Sequence, residues 1–143
     1  MYENVLVPTD GSEGSMRAVA HAVDLAAAFD ATLHAVYAVE LGALPAEFDT
    51  GDVFEQLEAE GRRALDDVVA RAEEAGVSVQ VRVGTGPPHR VILDYVDENG
   101  VDLVVMATHG RTGLDRYLLG SVTEKVVRLA DVPVLTVRLR DEE

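Results

Sequence analysis

Cysteine is absent from this chain, which excludes a disulfide framework, thiolate metal sites and thiol catalysis and leaves histidine and carboxylates to carry any reactive chemistry. Lysine is nearly absent: Lys125 stands alone beside eleven arginines, against thirteen Asp and thirteen Glu. The resulting formal charge of −14 opposes nonspecific attachment to nucleic acid or to an anionic membrane. Long apolar runs are missing as well, none approaching the roughly 20 residues that span a bilayer. The start, Met1-Tyr2-Glu3-Asn4, has neither the basic nor the apolar region of a signal peptide. A soluble cytoplasmic protein, with no nucleic-acid or membrane partner, is the expectation. A surface so rich in carboxylates repels itself unless salt screens it, so adaptation to high salt is a second expectation.

What remains is 143 residues, 48% of them hydrophobic, which suits one domain spanning 1–143 with an ordinary core. Its charge is uneven. From Val105 to Arg140 six basic residues face three acidic ones, a local +3 within an otherwise acidic chain. Such an island fits a nearby anionic ligand, and it equally fits the attraction of helix C-termini and edge strands for Lys and Arg.

Hydrophobic periodicity alternates strand and helix. Val5-Leu6-Val7-Pro8 reads as a strand, and Thr9-Asp10-Gly11-Ser12 as a turn into a helix carrying Met16, Val19, Ala20, Val23, Ala26 and Ala27. A strand from Thr32 to Val39 follows, then a loop from Glu40 to Thr50 and a helix to Ala75 that Gly76 stops. Val77 to Val83 forms the third strand, and the prolines of Gly84-Thr85-Gly86-Pro87-Pro88 suit the first turn of a helix that Asn99-Gly100 ends. Val101 to Met106 is almost wholly apolar, as a central parallel strand covered on both faces should be. Ser121 to Ala130 is the last helix and Pro133 to Leu139 the last strand. Five strands alternating with four helices predict an open parallel α/β sheet with helices on both faces. Ligands of such sheets bind beyond the carboxyl ends of the strands, which directs attention to the loops after strands one, two and four.

The segment Ala107-Thr108-His109-Gly110-Arg111-Thr112-Gly113-Leu114-Asp115-Arg116-Tyr117-Leu118-Leu119-Gly120-Ser121 begins at that edge. Gly110 and Gly120 allow backbone N–H groups to approach a ligand, and the free amides of the helix starting at Ser121 direct positive partial charge into the same space. Phosphate oxygens fit that description. Ser121 followed by Glu124 also reads as a capping box, in which the serine hydroxyl caps the helix.

In these features the chain resembles the universal stress protein family over essentially its whole length. Nucleotide-binding members carry a glycine, two residues, a glycine, nine residues, and a glycine followed by Ser or Thr; Gly110, Gly120 and Ser121 match, with Ala107 in the first position. Val7-Pro8-Thr9-Asp10, Leu33-His34, Val104-Val105-Met106 and Pro133-Val134-Leu135-Thr136-Val137 are further landmarks. The resemblance implies a Rossmann-like sheet of the adenine-nucleotide hydrolase-like type, with strand order 3-2-1-4-5. It also implies an adenine-nucleotide pocket that takes ATP, with any Mg²⁺ brought by the nucleotide. Pro8, Thr9, Asp10, Ala35 and Met106 would surround the nucleoside. Gly110, Gly120, Ser121 and Val122, with Ala107 at the motif's head, would hold phosphates mainly through backbone N–H groups, with Arg111 or Arg116 as outer contacts. Asp10 has two readings, a ribose partner accepting from two hydroxyls or an Asx-turn into the first helix. If position 107 needs a left-handed backbone, alanine costs roughly 1–2 kcal/mol, about ten- to thirtyfold in affinity; with negative φ it costs little.

Other chemistries lack their motifs. No serine sits in a Gly-x-Ser-x-Gly elbow, no phosphate loop ends in Gly-Lys-Ser or Gly-Lys-Thr, and no Gly-x-Gly-x-x-Gly turn follows the first strand. The four histidines have no i, i+4 pairing of the zinc type. His34 reads as a core residue, His89 as part of a helix start, and His109 as either a phosphate contact or a partner of the local backbone. The resemblance to universal stress proteins, with no evident catalytic base, implies an ATP-binding stress-response sensor or regulator with hydrolysis slow or absent. Its rivals are a nucleotide-independent dimer, which Ala107 supports, and a slow ATPase or phosphotransferase using Asp10 or His109. The strand Pro133 to Leu139 carries the family's homodimer contact or is an edge solvated by Arg138 and Arg140. The Glu40 to Thr50 loop reads as a cover on the pocket or an interaction loop.

Overall fold

The computed structural model describes residues 1–40, 50–109 and 119–138. Nine elements follow one another: β1 (Asn4–Pro8), α1 (Glu13–Phe29), β2 (Thr32–Val39), α2 (Thr50–Glu74), β3 (Val79–Thr85), α3 (Pro88–Asn99), β4 (Leu103–Ala107), α4 (Ser121–Leu129) and β5 (Val134–Val137). The strands form one parallel sheet in the expected order β3-β2-β1-β4-β5.

Strand alternation decides which side chains go to which face. Val5, Val7, Leu33, Ala35, Val105 and Ala107 pack with α1 and α2 in one apolar cluster. Their neighbours Leu6, Val36, Val104 and Met106 pack with Ile92, Tyr95 and Val96 of α3 and Val126 of α4 in a second. Helices thus cover both faces of the sheet.

The helix ends follow from local chemistry. Ser12 caps α1 by accepting the Ser15 N–H at 3.2 Å, and Asp30 closes it in the left-handed region at φ 55°. Pro88 opens α3, where a missing N–H costs nothing, and Gly100 at φ 62° closes it. Gly76, at φ 72°, follows the end of α2.

Two strands start two residues later than the apolar pattern predicts, for one shared reason. After Gly76, the Val77 N–H turns back to the Ala72 carbonyl at 2.9 Å; after Gly100, the Val101 N–H turns back to Val96 at 3.2 Å. Each valine therefore completes the closure of the preceding helix and is buried there, and pairing starts afterwards. At the other end of the chain, α4 stops at Leu129 with Ala130 as its cap, and the described part of the last strand is Val134–Val137; Leu139 lies outside the described residues.

Candidate functional site

The chain leaves β1 toward the face covered by α1 and leaves β4 toward the face covered by α4, so the two connections part above adjacent strands. A cavity of about 360 Å³ opens there, at the carboxyl edge of the sheet. One wall is apolar: Pro8, Val36, Ala38, Pro88, Ile92 and Met106. The other is polar, formed by the turn after β1, the end of β4 and the first turn of α4.

The β1–α1 turn is held by its own hydroxyls. Ser15 O–H donates to the Ser12 carbonyl at 3.0 Å, so in the 2.9 Å contact between Thr9 Oγ1 and Ser15 Oγ the threonine is the donor. Thr9 Oγ1 in turn accepts the Gly11 N–H at 3.1 Å, and the Thr9 N–H donates to Val36 O at 3.0 Å. Thr9 and Ser15 thereby shape the wall with hydroxyls already committed to the turn. Asp10 forms the Asx-turn, Oδ1 accepting the Ser12 N–H at 2.9 Å, and also lines the cavity. A carboxylate offers about four acceptor sites, so the turn and a ligand contact are compatible.

At the start of α4 the structure corrects the capping box. The N-cap is Gly120, at φ −62° and ψ 158°, and among the described residues no side chain caps the helix; Ser121 is already its first residue, one position too late for its hydroxyl to cap. Glu124 pairs instead with Arg128 at 3.3 Å, and its N–H donates to the Gly120 carbonyl at 2.9 Å. The helix start is pinned to β4 by the Gly120 N–H on Thr108 O at 2.7 Å and by the Thr123 hydroxyl on Ala107 O at 2.8 Å. A Cβ at position 120 would stand 3.2 Å from that Thr108 oxygen, a tight contact that glycine avoids without displacing the carbonyl. First-turn amides without a side-chain cap, at the positive end of a helix, border the cavity.

Pro8, Thr9, Asp10, Met106, Ala107, Gly120, Ser121 and Val122 all lie on its lining. Ala35 does not: it points into the α1–α2 cluster on the opposite face, and its neighbour Val36 takes the place on the wall. Strand parity carries that signal, because Val36 pairs with Pro8 in register and shares its face. Gly110, Arg111 and Arg116 lie outside the described residues, as does the segment 41–49 read as a cover or interaction loop. Ala107 ends β4 with ordinary strand geometry, Asp30 being the only non-glycine residue with positive φ among those described; the left-handed cost does not arise. Sequence reasoning missed the wall formed by Pro88 and Ile92, although a proline-started helix after the third strand marks the same sheet edge.

Two histidines are buried. His109 lines the cavity at 4% exposure, with Nδ1 3.1 Å from Thr108 Oγ1. His34 lies in the core under α3, Nε2 2.9 Å from Asn4 Oδ1 and Nδ1 2.6 Å from the Tyr95 hydroxyl. Because the Asn4 oxygen only accepts, Nε2 carries the proton and Nδ1 accepts from Tyr95, a neutral ring. Burial holds the His34 pKa below the ordinary histidine value. Burial likewise raises that of Tyr95, opposed by the Arg82 guanidinium 4.7 Å over its ring. Among the described residues no group of three or more His, Asp or Glu is placed to hold a metal, and no helix is long and apolar enough to cross a membrane.

Comparison with known proteins places this architecture among relatives. The model of the universal stress protein family matches residues 1–138. A universal stress protein of Methanocaldococcus jannaschii is 40% identical, the match covering 100% of this chain and 86% of that protein. Among solved structures, the universal stress protein UspA of Lactobacillus plantarum superposes with a TM-score of 0.84 at 30% identity, over 96% of this chain and 98% of that one. A universal stress protein solved in complex with cAMP superposes with a TM-score of 0.76 at 31% identity, over 97% and 99%.

Proposed function

This chain belongs to the universal stress protein family, and from that premise we propose that it binds an adenine nucleotide, ATP, in the cavity above β1 and β4 and serves as a nucleotide-dependent stress-response sensor or regulator. The observation that carries the reading is the first turn of α4, left without a side-chain cap behind Gly120 and bordering a cavity whose far wall is apolar. A ligand with a flat apolar end and an anionic end matches both walls. The base lies against Val36, Ala38, Pro88, Ile92 and Met106, the ribose at Asp10, and the phosphates at Gly120, Ser121 and Val122. The relative solved with cAMP supports an adenine nucleotide as the ligand class.

Hydrolysis is slow or absent in this reading. Mg²⁺ would arrive with the nucleotide. The whole chain, 1–143, acts as one cytoplasmic domain and pairs with a second copy through the segment Pro133 to Leu139. Leu135, on the open edge of the sheet, is 41% exposed. A nucleotide-independent role drew its support from Ala107, and the ordinary backbone there removes that support. Equilibrium dialysis with ATP on the parent protein and on Gly120→Val tests the proposal. Saturable binding by the parent, lost in the variant, is expected; a parent that binds no adenine nucleotide overturns it.

A further inference from the structure

His34 and Tyr95 meet one layer beneath the cavity. Along β2, His34, Val36 and Ala38 share the sheet face that α3 covers; Val36 and Ala38 line the cavity and His34 precedes them. On α3, Tyr95 follows the lining residue Ile92 by three positions, so both stand on one side of the helix, and both are buried against that face. Neither His34 nor Tyr95 lines the cavity itself.

Two kinds of contact hold α3. Its cavity end, which carries the wall residues Pro88 and Ile92, is seated by apolar packing: among the described residues no side chain from 88 to 92 makes a hydrogen bond or ion pair, and Pro87 gives the helix no side-chain cap. Its other half is held by directional contacts. Tyr95 O–H donates to His34 Nδ1 at 2.6 Å, and the ring is fixed from behind by Nε2 on Asn4 Oδ1 at 2.9 Å, while the Asn4 N–H donates to Asp102 at 3.1 Å. Arg82 of β3 lies 4.7 Å over the Tyr95 ring and pairs with Glu98 at 2.8 Å. That ion pair is half exposed and weakened by solvent, whereas the Tyr95–His34 bond joins two buried side chains. Apolar contact tolerates sliding; a short buried hydrogen bond fixes distance and direction.

We infer that the Tyr95–His34 hydrogen bond sets the position of α3 on the sheet and so holds the Pro88 and Ile92 wall where the base packs, which makes His34 and Tyr95 positioning residues for a ligand they do not touch. The inference rests on the nucleotide reading of the cavity.

Ile92 is the only isoleucine of the chain, so selective labelling of its δ1 methyl gives a single NMR resonance on the cavity wall. Tyr95→Phe removes the hydroxyl and little else. In the ligand-free variant that resonance should move from its place in the parent, and affinity for ATP, measured by equilibrium dialysis, should fall about two- to tenfold, the range of one net hydrogen bond. His34→Asn and His34→Gln divide the two contacts of the ring. The asparagine oxygen stands where Nδ1 does and still accepts from Tyr95, while glutamine reaches Asn4 and leaves Tyr95 without its acceptor. Asparagine should therefore bind ATP more tightly than glutamine, whichever of the two melts higher; a purely structural role would leave the affinity of the folded variants at the parent's. An Ile92 resonance that stays in place in Tyr95→Phe, an affinity unchanged in that variant, or glutamine binding as tightly as asparagine overturns the inference while binding by the parent stands. A parent that binds no ATP and whose Ile92 resonance ATP does not shift overturns the nucleotide reading, and the inference with it.

Discussion

Replacing Gly120 by serine should separate what the first turn of α4 does for stability from what it does for a ligand. The backbone at 120, φ −62° and ψ 158°, already has the conformation of an N-cap residue. A serine there would turn its Oγ onto the amide of Val122 or Thr123, and serine exceeds glycine as a cap by only a few tenths of a kcal/mol. Against that gain, the new Cβ stands 3.2 Å from the Thr108 carbonyl oxygen, so the carbonyl must yield by a few tenths of an ångström. A strain of about 1 kcal/mol is the scale to expect for so small an overpacking. The two effects nearly cancel, which puts the melting temperature within about 4 °C of the parent. Ligand affinity responds quite differently. The serine oxygen occupies an amide that a phosphate would otherwise receive, and a hydrogen bond to a charged group contributes about 1.5–3 kcal/mol, so affinity for ATP should fall roughly tenfold to a hundredfold. Gly120→Ala brings the same Cβ against Thr108 without the oxygen and should lose less affinity than serine does. Equilibrium dialysis gives the affinities and thermal denaturation the stabilities. Serine binding ATP within threefold of the parent at unchanged stability would refute the claim that these amides hold the phosphate.

Four further outcomes are expected. Ala107→Gly should shift ATP affinity by less than about threefold, since no left-handed strain is there to relieve, while urea denaturation shows a loss of about 0.5–1 kcal/mol from added chain freedom in β4. Stability should decline as pH falls below about 6.5, because the unfolded chain then binds a proton that His34, its pKa lowered by burial, does not; the slope is at most about 1.4 kcal/mol per pH unit, and denaturation at pH 7 and pH 5 should show the loss shrinking in His34→Gln. The formal charge of −14 should make the melting temperature climb steeply between dilute and molar KCl, and a flat response would remove salt adaptation. Leu135→Asp, on an exposed position of the open edge strand, should shift sedimentation from dimer to monomer; a parent that sediments as a monomer removes the paired-strand proposal.

Legibility in the sequence varied with the kind of force involved. Parallel strands buried on both faces announce themselves as apolar runs, and β2 was readable to the residue because Asp30 and Glu40 bracket it. Val77 and Val101 were misread as strand because hydrophobicity does not distinguish a residue that closes a helix from one that starts a strand; the bonds to Ala72 and Val96 decide it. The same limit applies at Ala35 and Val36, both of them wholly apolar and both buried. Only register against Pro8 shows which one reaches the cavity. Ser121 illustrates a one-residue shift: serine followed three residues later by glutamate has the spacing of a capping box, yet the carbonyl of Gly120 accepts the first helical bond.

That shift bears on how an acidic protein can hold an anionic ligand at all. Of the described basic residues in the positive stretch, Lys125, Arg128 and Arg138 do not line the cavity, and at molar ionic strength the screening length is about 3 Å, so attraction from beyond contact fades. Backbone amides at a helix start act at hydrogen-bond distance, within that length, and their partial charges do not titrate. A serine at 120 would take one of them; glycine leaves them open on the border of the cavity and puts no Cβ against Thr108 O. One residue therefore meets the packing demand of the β4–α4 junction and the chemical demand of the cavity together. The glycine of the motif consequently has a physical reason that stands whether or not Arg111 contributes.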